Sequence, residues 1–244
     1  MPENKYDDAA FFQKYAQMIR SKKGLAGAGE WETLQALLPA FTGKHVLDLG
    51  CGYGWHCIYA AEQGAASVVG VDLSEKMLAV AREKTAHPQV SYLRQAIEDI
   101  DFTAERFDIV LSSLALHYIP SFSEVVRRVR HCLRPGGSFI FSVEHPLFTA
   151  EGSQEWHRDE SGNIQHFPVD NYFFESVRET RFLGTTVTKY HRTLTTYLDG
   201  LLCNGFELQR VVEPQPPQHM LALEGMRDEL RRPMMLIVSA RKKQ

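Results

Sequence analysis

The sequence predicts an α/β fold on an open, mostly parallel sheet, and three features predict it. Residues 46–54 read Val-Leu-Asp-Leu-Gly-Cys-Gly-Tyr-Gly, an apolar strand that runs into alternating glycines. Short apolar runs then alternate with stretches of helical period as far as residue 143, the pattern of one strand-helix repeat after another. At 244 residues and 44% hydrophobic composition, the chain is long enough for one well-buried domain with insertions and too short for a second full one.

Ahead of the first strand, Phe11, Phe12, Tyr15, Met18 and Ile19 recur at helical spacing between Asp7 and Arg20. Glu30 to Leu38 makes a second helix, which Pro39 stops. The core follows as strand 44–49, helix 54–63, strand 67–71, helix 74–85, strand 89–94, strand 107–112, helix 121–133 and strand 138–143. After Pro146 the pattern changes. Glu151 to Asn171 is polar and aromatic without a clear period, which predicts an inserted lid. Regular structure resumes with a helix near Thr193 to Cys203, a turn at Asn204-Gly205, a strand 206–213, a short helix near His219 to Leu230 and a final apolar strand 233–240.

Composition narrows the function. A formal net charge of -3 argues against a large basic surface for nucleic acid or anionic lipid. The amino terminus, with Glu3, Asp7 and Asp8 ahead of any apolar run, predicts no secretory or transit signal, and no stretch approaches the length of a membrane span. A cytoplasmic protein is expected. Cys51, Cys57, Cys132 and Cys203 lack paired spacing, so reduced thiols are expected rather than a disulfide framework or a zinc knuckle.

The glycine turn carries the chemistry. Gly50, Gly52 and Gly54 let the backbone turn sharply and approach a ligand closely before a helix begins. Asp72 ends the next apolar run, where a carboxylate can accept hydrogen bonds from both hydroxyls of a ribose; Ser74 is free to cap the following helix. In an open parallel sheet the ligand sits at the carboxyl ends of the strands, so candidate residues are sought there.

Asp48, Gly50, Gly52 and Gly54 together resemble the first motif of the class I S-adenosylmethionine-dependent methyltransferases. Val71-Asp72-Leu73-Ser74 resembles the family's ribose motif, Phe107 to Ser112 its fourth strand, and Leu133-Arg134-Pro135-Gly136-Gly137 its turn into the fifth. The resemblance implies a Rossmann-like seven-stranded sheet in the order 3-2-1-4-5-7-6, with strand seven antiparallel and helices on both faces. It divides one domain, 1–244, into a helical cover (1–40), a cofactor-binding core (41–145), a substrate cap (146–190) and a carboxyl-terminal helix with strands six and seven (191–244).

The resemblance also assigns roles. S-adenosylmethionine would meet Asp48, Cys51 and the glycines at its methionine end, Asp72, Leu73 and Met77 near the ribose, and Ala96 and Ile97 at adenine. Ser112, Ser113 and Leu114 follow strand four near its amino acid moiety, while Tyr15 and Arg20 of the cover would reach its carboxylate and amine. Glu98 is either solvated or functional.

Three residues are candidates for chemistry. His117 is open to two roles, a general base for a hydroxyl or amine or a histidine packed at a helix start. Glu144 and His145 end strand five at the edge facing the methyl acceptor, and in an extended chain only one of them points into the pocket. His157 and His166 lack a third ligand at a regular spacing, so no metal is expected.

The function implied is methyl transfer to an O, N or C atom of a small-molecule acceptor by a monomer or homodimer. No Asn-Pro-Pro-Tyr or Asp-Pro-Pro-Tyr follows strand four and no Pro-Cys is present, which sets nucleic-acid methylation aside. Two rivals stay open at this point: a cofactor-binding protein without catalysis, and a nicotinamide oxidoreductase.

Overall fold

Parallel strands covered on both faces are built from near-continuous apolar runs, and the central strands of this chain show why. In β1 (His45–Leu49), Val46 packs with Cys57, Ala60, Leu78 and Ile109 on one face, while Leu47 and Leu49 join Phe139, Phe141 and Val125 on the other. The computed structural model describes residues 4–244, so Glu3 lies outside them. Around β1 stand β2 (Ser67–Asp72), β3 (Val90–Arg94), β4 (Phe107–Ser113) and β5 (Leu133–Glu144). Two short hairpins follow, β6 (His157–Arg158) with β7 (Ile164–His166) and β8 (Val177–Phe182) with β9 (Thr185–Tyr190), before β10 (Phe206–Val212) and β11 (Met235–Lys242).

The seven-stranded sheet runs β3-β2-β1-β4-β5-β11-β10, with β11 antiparallel to both neighbours, as the expected order required. The helices in chain order are α1 (Ala9–Ala16), α2 (Ile19–Lys23), α3 (Trp31–Gln35), α4 (Trp55–Glu62), α5 (Glu75–Lys84), α6 (Phe122–Cys132), α7 (Pro146–Thr149) and α8 (Leu194–Cys203). Leu34 of α3 joins α4 and α5 on one face of the sheet; Val125, Val126 and Val129 of α6 join Tyr197 and Leu201 of α8 on the other.

Polar contacts fasten the amino-terminal cover. Ser74 Oγ accepts the Met77 amide (3.2 Å) and donates to Asp7 (2.6 Å), which also accepts the Lys76 amide (3.2 Å). The amino terminus of α5 thereby holds the start of the chain. Asp8 caps α1 through the Phe11 amide.

Three expectations are corrected. The helix expected from Asp7 to Arg20 breaks at Met18, whose extended backbone separates α1 from α2. No helix spans His219 to Leu230; short 3-10 turns stand there instead, because Gly225 adopts a positive φ of 76° and Leu223 and Leu230 are exposed. The aperiodic lid, Glu151 to Asn171, contains the β6–β7 hairpin, and a cation among aromatic rings orders it. The Arg232 guanidinium lies 4.4, 4.9 and 4.6 Å from the rings of Phe148, Trp156 and Phe167, which pins the β6–β7 hairpin to the chain entering β11.

The glycine turn is shaped by packing from below. Gly50 has φ +73°, its N–H donates to the Val71 carbonyl (2.8 Å), and a Cβ there would lie 2.4 Å from the Ala115 Cβ. Gly50→Ala is therefore expected to destabilise the fold by about 2 kcal/mol or more. Gly52→Ala, whose Cβ would meet no atom within 4 Å, should cost about 1 kcal/mol for its backbone angle alone. Denaturant unfolding without ligand measures both, and equal losses would contradict this packing.

Candidate active site

A cavity of about 610 Å³ opens at the carboxyl ends of the parallel strands, beneath the amino-terminal cover and beside the β8–β9 hairpin. Each wall is delivered by one strand end. The loop after β1 brings Gly50 and Gly52, the end of β2 brings Asp72, Leu73 and Met77, and the loop after β3 brings Ala96, Ile97 and Glu98. Past β4 come Ser113, Leu114 and His117, and at the end of β5 comes Glu144. Leu114 holds a left-handed φ of 53°, the kind of strain that a surrounding structure must over-determine; its N–H donates to Ser142.

At the β1–β2 end, Asp72 is set before any ligand arrives. Its carboxylate accepts the Gly52 amide at 2.8 Å and the Ser74 amide at 2.9 Å. Burial pushes its pKa up while those two amides pull it down. The space above Gly52 is open where Gly50 faces Ala115 and Gly54 faces Tyr92. Of the three glycines, only Gly52 leaves room for a ligand against the backbone.

Tyr15, Arg20 and Met18 reach the cavity from the cover because of the break between α1 and α2. Arg20 pairs with the buried Glu30. Tyr6 meets the rings of Tyr15 and Tyr118 edge-on at 5.3 and 6.3 Å, bridging the cover to the turn after β4.

The β4–β5 end holds a closed polar network. Glu144 Oε1 accepts from Lys189 Nζ (2.6 Å), Glu144 Oε2 accepts from Gln154 (2.6 Å), and Lys189 also donates to the Gln154 carbonyl oxygen (2.8 Å). Lys189 is only 2% exposed. Burial would raise the Glu144 pKa, but His117, Lys189 and Gln154 outweigh it and hold the carboxyl below its ordinary range. The Glu144 amide donates to His117 Nδ1 at 3.4 Å, so the neutral ring carries its proton on Nε2. Burial lowers the His117 pKa from 6.5 to about 4, helped by the charges of Lys189 and Arg192 and opposed by Glu144. Buried Arg192 donates to the carbonyls of Leu116 and Ile119 and locks the turn that carries His117.

Five of the candidate residues stand outside the cavity wall. Asp48 is buried beneath the glycine turn; its Oδ2 accepts the Cys57 thiol (3.3 Å), its Oδ1 has no partner, and burial pushes its pKa up to about 7. Cys51 is buried against Gly70, and Gly54 against Tyr92. Ser112 donates to the Leu49 carbonyl inside the sheet. His145 turns away from Glu144, as strand alternation requires, and its Nδ1 accepts the Leu147 amide to cap α7. In exchange, the cavity gains Tyr6, Met18, Tyr118, Phe182, Val187, Met234 and Met235. Only the alternation of Val187 and Lys189, buried on one face of β9, left a trace in the sequence. Among the described residues no three of His, Cys, Asp or Glu converge to hold a metal ion, and His157 faces only His166 across its hairpin.

Residues 47–141 match the family model of a methyltransferase domain. The structure superposes with a TM-score of 0.87 on a candidate S-adenosylmethionine dependent methyltransferase from Listeria monocytogenes, 56% identical and covering 91% of this chain and 100% of that one. An S-adenosylmethionine dependent methyltransferase from Mesorhizobium loti superposes at 0.84, with 42% identity over 90% of this chain and 100% of that one. A malonyl-[acyl-carrier protein] O-methyltransferase from Pectobacterium atrosepticum is 37% identical over 62% of this chain, a match spanning 55% of that protein.

The chain belongs to the class I S-adenosylmethionine-dependent methyltransferases, and S-adenosylmethionine is its cofactor. The nicotinamide and non-catalytic alternatives are thereby set aside. The observed site suits the cofactor: an acidic side chain fixed by two amides at the end of β2, and a backbone left bare at Gly52.

Asp72→Ala should weaken S-adenosylhomocysteine binding by about 2 to 4 kcal/mol while the fold survives, and Gly52→Val should abolish it. Calorimetric titration showing unchanged affinity in either folded variant would sink the corresponding contact. His117 makes a separate prediction through its ionisation. Its folded pKa lies below its unfolded one, so its contribution to stability is complete above about 6.5 and is lost as pH falls through about 4. Across that window His117 should add a slope of up to ~1.4 kcal/mol per pH unit. Unfolding curves of His117→Gln should be less steep in pH, and an unaltered slope would contradict the buried neutral ring.

Proposed function

We propose that this methyltransferase modifies a small-molecule acceptor seated at the carboxyl ends of β4 and β5, under a cap formed by residues 146–190. One observation carries the reading. The cavity lining continues past Asp72, Ala96 and Ile97 to Ile119, Pro120, Phe182, Val187, Met234 and Met235, a mostly apolar set with His117, Glu144 and the hydroxyls of Tyr118, Thr188 and Tyr190 among it. Its total of about 610 Å³ falls within the ~300–1,000 Å³ of small-ligand pockets.

In this reading Asp72 holds the ribose hydroxyls, Ala96 and Ile97 flank adenine, and the backbone left bare at Gly52, with Tyr15 and Arg20, receives the methionine end. The bound cofactor supplies a methyl group on a sulfonium and leaves as S-adenosylhomocysteine. The chain's own work is positioning and exclusion of water, which can supply much of the acceleration of an in-line displacement. The name of the Pectobacterium relative supports oxygen as the atom methylated. A cytoplasmic monomer or homodimer fits a chain in which, among the described residues, no helix is long and apolar enough to cross a membrane.

Val187→Trp on the β8–β9 hairpin, which fills this mostly apolar end of the cavity from β9, separates the two halves of the site. Affinity for S-adenosylhomocysteine should stay within about threefold, and methyl transfer to a screened acceptor should fall about tenfold or more. Lost cofactor affinity with normal turnover at saturating cofactor would make the hairpin a cofactor cover instead.

A further inference from the structure

We propose that the acceptor enters this site already ionised, as a carboxylate or another acidic oxygen, because the two groups at its end of the cavity that could take a proton, His117 and Glu144, are each held by hydrogen bonds from their neighbours. The proposal rests on the seating of the acceptor beside His117 and Glu144. His117 was the natural general base, yet its Nδ1 lone pair faces the Glu144 amide, so Nε2–H is the proton-bearing atom left to it. Glu144 has both oxygens engaged, one by Lys189 and one by Gln154. Gln154 returns its own carbonyl oxygen to Lys189, which closes the ring of bonds.

The surroundings keep these states. The groups facing His117 are Glu144, Lys189 and Arg192, with the Tyr118 ring 4.4 Å away; burial and the two cations keep the imidazole neutral and weakly basic. Burial raises the phenols of Tyr6 and Tyr118, so neither serves as a base. Arg192 holds the carbonyls of Leu116 and Ile119, and rotation of the histidine turn would break those bonds.

An alcohol or an alkylammonium must lose a proton before or during transfer, and here Glu144 is held ionised by Lys189 and Gln154 while His117 Nδ1 already accepts an amide, so neither is a ready base. An oxyanion has no such need. Its lone pair forms the C–O bond as the C–S bond breaks, the electron pair stays on sulfur, the opposite charges cancel, and no proton moves. The Nε2–H of His117 can donate to the acceptor's second oxygen.

Two measurements test this on the S-adenosylhomocysteine complex and on the active enzyme. Nitrogen-15 NMR of His117 in that complex should show a neutral ring protonated on Nε2 that does not titrate between pH 5.5 and 8. A proton on Nδ1, or a midpoint above 6, would overturn the proposal. With benzoate, benzyl alcohol and benzylamine as probes, S-adenosylhomocysteine release should be at least tenfold faster with benzoate. Faster release with the alcohol or the amine would also overturn it; if no probe turns over, the titration decides alone. Turnover untouched by filling the cavity with Val187→Trp would instead condemn the seating under the cap, and so the reading beneath this proposal.

Discussion

Glu144 is where the sheet, the cap and the histidine turn meet, and the β4–β5 end of the cavity depends on it. A carboxylate this deep would be expelled or neutralised without compensation. It is compensated by the buried ammonium of Lys189 from β9 and by Gln154 from the loop before β6, while its backbone N–H reaches His117. One residue at a strand end thus fixes two cap segments and a ring orientation. Removing Lys189 would leave the Glu144 carboxylate without its counter-ion, and removing Glu144 would strand the Lys189 ammonium, so the cap and the core depend on one another.

The two halves of the carboxyl edge solve different problems. Along β1, β2 and β3, the backbone does the work: a glycine without a side chain, an aspartate tied to two amides, and the short turn that follows β3. Such features tolerate little variation because they touch main chain. Along β4 and β5, side chains from remote segments do the work, drawn from the cap hairpin and from the start of β11. The cation at Arg232, enclosed by three rings, holds that start in place two residues before Met234. In the proposed reading, chemistry common to the family is built from local geometry, and acceptor selectivity from long-range contacts.

This division explains what was legible. Strand positions and ends were readable because fully covered strands are written as apolar runs, strand order came from the family resemblance, and the glycine turn was readable because only glycine adopts its backbone angles without strain. The partners of Glu144 were not readable. Lys189 lies 45 residues away in a segment whose alternation spans a single short strand. Arg192 and Arg232 look like surface cations in sequence, and only the fold surrounds them with carbonyls or rings. Asp48 and His145 were located along the chain but not in depth, since a residue next to a glycine turn or at a strand end can face either way; alternation alone said that one of Glu144 and His145 faces the cavity. The helix expected near His219 failed for the converse reason: a periodic pattern with no surface to pack against does not make a helix.

The central claim is that the cofactor is held by the backbone-built half of the edge and the acceptor by the side-chain-built half. Hydrogen–deuterium exchange with and without S-adenosylhomocysteine tests it most directly. The account predicts strong protection at residues 50–54, 72–77 and 95–99 and in the amino-terminal cover, with residues 185–190 of β9 little changed. Protection concentrated in the β8–β9 hairpin, with the glycine turn unaffected, would contradict it.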